Sequence, residues 1–156
     1  MSAFNPETDL KLERFIKARP ETVWRCWEEP DLFRQWFCPK PVEVTEIDHD
    51  MRAGGRAYTV MKLPDGTLMP NDGSFLLVEK PNRLIFTDAL LAGFRPVSSP
   101  FMVADIRYTA QDGGTLYTAH VMHPDAAKRD EHDKMGFQEG WGTVAGQLAE
   151  LAESLE

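Results

Sequence analysis

The sequence predicts an α+β domain in which a curved antiparallel sheet of six to seven strands closes around a long C-terminal helix. The first observation is at the C-terminus, where Phe137, Trp141, Val144, Leu148, Leu151 and Leu155 recur at alternating steps of four and three. At about 100° per residue, that spacing puts all six on one narrow helical stripe. The second is the stretch from Val42 to Met122, where short β-rich runs alternate with turn residues, as in an antiparallel meander. The third is a pair of prolines, Pro20 and Pro30, placed to open two short helices between the first strand and that meander.

In chain order, Leu10 to Lys17 reads as the first strand. Leu10, Leu12, Arg14 and Ile16 oppose Lys11, Glu13, Phe15 and Lys17, and neither set is purely apolar, so the register stays open. A helix starts at Glu21 and runs through Val23, Trp24 and Trp27. Pro30 cannot sit in a helix interior, so a second helix, Asp31 to Trp36, restarts there and ends before Pro39. Strands come next at Val42 to Ile47, Arg56 to Lys62 after the Gly54-Gly55 pair, Gly73 to Val78, and Leu84 to Ala89. Phe101 to Ala110 and Thr115 to Met122 flank a Gly113-Gly114 hairpin turn. No repeat or long linker divides the chain, so one domain spanning 1–156 is expected.

The C-terminal helix carries Gly136, Gly140, Gly142 and Gly146, each costing about 1 kcal/mol against alanine inside a helix. Two reasons could retain them: close backbone packing against the sheet or another chain, or room left for a ligand.

Composition narrows the partners. A formal net charge of −8 disfavours nucleic acid and anionic membrane surfaces, both of which call for a basic footprint. No apolar run approaches the ~20 residues of a membrane helix. The N-terminal MSAFNPETDLKLERF lacks the charged start and apolar core of a signal peptide, so a cytoplasmic location is expected. The two cysteines, Cys26 and Cys38, make neither a disulfide framework nor a metal site and read as reduced thiols.

Four segments together resemble one family: ARPETVWRCWEEPDLFRQWFCP (Ala18 to Pro39), GGRAYTVMKLPDG (Gly54 to Gly66), RLIFTD (Arg83 to Asp88) and EHDKMGFQEGW (Glu131 to Trp141). Their order is similar to that of the START-like (SRPBCC, Bet v 1-like) superfamily, in its branch resembling the C-terminal domain of the heat-shock-protein ATPase activator (AHSA-like). The resemblance implies a helix-grip fold. It departs at Phe37 and Cys38, where relatives carry tryptophan and glycine, and at Asp88, where an aromatic is common. The superfamily includes lipid and steroid carriers, hormone receptors, polyketide cyclases and chaperone modulators, and a shared fold does not choose among them. The activator's separate chaperone-binding domain does not fit in 156 residues, which makes chaperone contact the weaker implication.

In helix-grip folds the binding site lies between the concave sheet face and the long helix. Alternation nominates its lining as Trp36 and Phe37 at the mouth, then Tyr58, Phe75, Phe86, Asp88, Met102, Ile106, Tyr108 and His120, with Phe137, Trp141 and Val144 from the helix. The same residues could equally form a packed core. The expected partner is a small apolar or aromatic molecule, with no cofactor. Asp88, His120 and Tyr108 are the one titratable set that could support cyclase- or hydrolase-like proton transfer, and only if they meet on one face. His120, His123, His132 and Asp133 suggest a metal, but residues three apart on a strand face opposite ways, so no metal site is expected. The Gly136 to Trp141 run lacks the spacing of a phosphate loop. Leu90, Leu91, Phe94, Pro96, Val97, Pro100 and Phe101 between Ala89 and Met102 suggest a lid, a homodimer contact, or a loop folded back on its own domain.

Overall fold

The computed structural model describes residues 3–156. Its elements run β1 (Asp9–Ile16), α1 (Pro20–Glu28), α2 (Pro30–Phe33), β2 (Glu43–His49), β3 (Arg56–Lys62), β4 (Leu68–Glu79) and β5 (Arg83–Thr87). A small hairpin comes next, β6 (Leu90–Leu91) with β7 (Arg95–Pro96), then β8 (Val103–Gln111), β9 (Gly114–Met122), α3 (Ala126–Lys134) and α4 (Phe137–Ser154). The main sheet has seven strands in the order β1-β9-β8-β5-β4-β3-β2, every neighbour antiparallel. This is the expected α+β helix-grip architecture.

The two prolines act as anticipated. Pro20 and Pro30 occupy first-turn positions of α1 and α2. Glu29, between the helices, is extended at φ −91°, ψ 114°, the conformation that a following proline imposes. The register of β1 is also resolved. Leu10 and Ile16 are buried, whereas Lys11, Glu13 and Phe15 point outward. Arg14 shares the inner parity but is exposed, and its guanidinium comes up against Gly146 of α4.

Two bulges bend the sheet and change its parity. The β2–β3 register shifts between Val44 and Glu46, and the β4–β5 register between Phe75 and Leu77. Each inserts one extra residue, so the side chains beyond it exchange faces. Val44, Ile47 and His49 therefore all face inward, as do Phe75 and Val78.

The C-terminal helical segment is two helices rather than one. Gly136 adopts φ 91°, a left-handed conformation that ends α3 and caps α4, so its role is a turn and not a helix interior. Periodicity alone places Gly136 inside the helix and shows no α3, because the polar AAKRDEHDK run carries no apolar stripe. On α4 the fully buried line is Phe137, Ala145, Leu148, Ala149 and Ala152, with Trp141, Val144, Leu151 and Leu155 half-buried beside it. The principal backbone neighbours of α4 are β1, α1 and α3. The alanines let it settle close on that side, and the larger stripe residues are left at its edge.

Gln147 ties α4 to the chain after α2. Its amide donates to the carbonyls of Trp36 (3.0 Å) and Cys38 (2.9 Å), and its oxygen accepts from the Lys40 N–H (3.1 Å). At the other end Glu153 accepts from the Lys17 N–H and Glu156 from the Arg19 N–H. Among the described residues no helix is long and apolar enough to cross a membrane.

The apolar segment from Ala89 to Met102 folds back on the chain itself. Gly93 donates its N–H to the Gly54 carbonyl, and Phe94, at φ 64°, lays its ring on Gly54. A Cβ at residue 54 would stand 2.6 Å from that ring, and Gly54 itself is at φ 82°, so only glycine fits there.

Candidate ligand-binding site

The inner face of the sheet carries two aromatic clusters. In the first, Trp27 is the hub. Its ring lies 5.4 Å from Phe33, 5.4 Å from Trp36, 5.6 Å from Phe37, 5.8 Å from Phe86 and 6.4 Å from Phe75. The second sits at the opposite end of β9, where Phe101, His123, His132, Phe137 and Trp141 pack ring against ring.

Several expected lining residues are inside. Phe75, Ile106, Tyr108 and Phe137 are fully buried, and Trp36 is too, its indole N–H donating to the Cys26 carbonyl. These five belong to the packed core, so Trp36 is not at a mouth. Phe37, Phe86, Met102, Trp141 and Val144 face inward but are only half-buried, and Met51 joins them. Ala side chains at Gly140 or Gly142 would meet nothing within 4 Å, so close packing does not account for those two glycines.

Three expected residues do not contribute as anticipated. Tyr58 is on the outer face, paired in register with the exposed Asp48 and Asp72. Arg56 bridges both carboxylates and lies 4.0 Å over the tyrosine ring. His120 is also outside, because Ala119 and Val121 take the inner positions of β9; its Nε2 donates to Asp9 Oδ2 at 2.7 Å. Asp88 lies just past β5, where its carboxylate accepts the N–H groups of Phe101 (2.9 Å) and Met102 (3.0 Å) and pins the incoming β8. Tyr108 is fully buried and accepts the Trp27 indole N–H at 2.6 Å; burial holds its hydroxyl well above the ordinary tyrosine range. Asp88, Tyr108 and His120 therefore have separate structural partners and form no catalytic set.

His123 and His132 do meet, at 2.9 Å between Nε2 and Nδ1, while His123 Nδ1–H donates to the Thr8 carbonyl at 2.7 Å. Burial and the neighbouring His123 lower the His132 pKa to about 4. His120 is bonded elsewhere, and no group of three or more metal-binding side chains converges among the described residues.

The residue that sequence reasoning missed is His49. Its ring lies in the first cluster, 4.6 Å from Phe33, 5.4 Å from Phe75 and 6.2 Å from Trp27. Its Nδ1 is buried with no hydrogen-bond partner, and burial lowers its pKa to about 4, so the ring is neutral near pH 7. An unsatisfied buried polar atom costs about 1–3 kcal/mol and is rare in native interiors. The bulge at Thr45 hid it, since uninterrupted alternation from Val44 would have turned residue 49 outward.

A seven-stranded antiparallel sheet, paired short helices after β1 and a C-terminal helix over the inner face define the class as START-like helix-grip proteins. The chain belongs to the family described as "Activator of Hsp90 ATPase homolog 1-like protein", whose family model matches residues 17–153. The crystal structure of a Nitrosomonas europaea protein is similar at 42% identity and TM-score 0.93, covering 97% of each chain. A Rhodobacter sphaeroides protein shares the fold at 22% identity and TM-score 0.82, again over 97% of each chain. An AHSA1-like protein from Aeromonas hydrophila does so at 21% identity and TM-score 0.72, over 94% of this chain and 93% of that one. No curated protein matches the chain.

Proposed function

We propose that this chain binds a small, mainly apolar molecule between the inner face of the sheet and α4. The supporting observation is the set of inward apolar side chains left half-exposed, namely Phe37, Met51, Phe86, Met102, Trp141 and Val144. A core that had only to be packed gains by covering such surface, at about 25 cal/mol per Å² removed from water. Apolar side chains with few polar groups among them are also the usual lining of a small-molecule site.

The test is a two-dimensional amide NMR titration with a panel of neutral apolar compounds. Saturable shifts clustered at Phe37, Phe86, Met102 and Trp141 support the reading. Shifts scattered over the outer face, or none, oppose it.

The family description motivates a second reading, contact with a chaperone ATPase. Its test is the host chaperone's ATPase rate with and without this protein, and an unchanged rate removes it.

A further inference from the structure

We infer that His49 is the polar anchor of this site and that its ligand is a neutral apolar molecule bearing one hydroxyl group. The inference rests on the ligand-binding reading above and specifies its chemistry.

The Nδ1 atom of His49 is a hydrogen-bonding atom without a partner, enclosed among Trp27, Phe33 and Phe75. The rings that hold it also touch two half-exposed ones. Phe37, half-exposed, stacks on Phe33 at 4.4 Å, and half-exposed Phe86 lies 5.8 Å from Trp27. His49, itself only partly buried, thus shares its ring neighbours Trp27 and Phe33 with these two half-exposed side chains. The remaining side chains of the cluster offer little competition for it, because the Trp27 and Trp36 indoles are already committed to Tyr108 Oη and the Cys26 carbonyl.

This arrangement selects ligand chemistry in two ways. A neutral imidazole enclosed by aromatic rings supplies no charge to compensate a carboxylate or ammonium, whose transfer from water is heavily penalised. A hydroxyl both donates and accepts, so it satisfies Nδ1 in whichever tautomer the ring adopts. A hydrocarbon of the same shape would leave the atom orphaned.

The experiment compares 2-naphthol with naphthalene by equilibrium titration of the intact protein and of His49→Phe. With the native protein, 2-naphthol should bind about five- to tenfold more tightly, the equivalent of one net hydrogen bond. In His49→Phe the ratio of the two affinities should fall to about one. A preference that survives the substitution overturns the anchor and leaves the binding reading standing. Failure of both compounds to bind the native protein removes both. A second readout needs no variant: in long-range ¹H–¹⁵N spectra, the His49 Nδ1 resonance should move with 2-naphthol and stay still with naphthalene. Equal behaviour with the two compounds contradicts the inference even if His49→Phe fails to fold.

Discussion

Trp27 donates its indole N–H to the Tyr108 hydroxyl across 2.6 Å, joining α1 to β8 through the interior of the domain. Tyr108 also stacks on Tyr117 at 5.6 Å, and both rings are buried. The contact fixes α1 over the sheet and occupies the one tyrosine hydroxyl that a catalytic reading required. Tyr108→Phe keeps the ring but strands the Trp27 N–H, at an expected cost of about 1–3 kcal/mol. Urea unfolding measures it, and a change below about 0.5 kcal/mol, within the usual scatter of inconsequential substitutions, would show the bond to be dispensable.

Gln147 holds the loop from Trp36 to Lys40 by three backbone hydrogen bonds. Within that loop the buried Cys38 thiol donates to the Val42 carbonyl at 3.1 Å. Gln147→Leu should loosen the loop at a cost of about 1–2 kcal/mol, one or two net hydrogen bonds. Thiol-reagent kinetics give the local readout: Cys38 should label several-fold faster while Cys26, buried in α1, stays slow. Equal rates before and after the change would mean that the loop is held by other contacts.

Local periodicity decides which parts of the molecule are legible in its sequence. The C-terminal stripe, the two proline-opened helices and the strand Arg56–Lys62 could be read directly, since each depends on local pattern alone. The inward face could not be read through the bulges. Thr45 and Leu76 each reverse the parity of the residues beyond them, which placed His49 outside the set of candidates. Tyr58 and His120 looked like interior residues by type, yet they lie on the outer face in register with charged neighbours on adjacent strands, Asp72 and Asp105. The hairpin β6–β7 was missed because its two-residue strands are set by docking on Gly54 rather than by alternation.

Stability should fall in mild acid. His49 and His132 have folded pKa values of about 4, against about 6.5 for an unfolded histidine. Below pH 6.5 the unfolded chain takes up protons that the folded chain refuses, so the contribution of these two rings declines between pH 6.5 and 4. Each ring contributes on the order of 2–3 kcal/mol at the upper end of the window. Denaturant midpoints measured across that range should fall steeply in the native protein and less so in His49→Phe. Parallel curves for the two proteins would refute the burial assigned to His49.

Gly140 and Gly142 face open space, so Gly→Ala at both should raise stability by roughly 1 kcal/mol each through helix propensity alone. Thermal unfolding checks this directly. Destabilisation instead would reveal a close contact at α4 that the geometry does not contain.

Native mass spectrometry of the protein purified gently from its expression host is the most direct test of small-molecule binding. A discrete added mass of a few hundred daltons, extractable into organic solvent and lost in a Trp141→Glu variant, is the expected result. A spectrum holding only the bare chain, unchanged after incubation with 2-naphthol and other neutral aromatics, would contradict it.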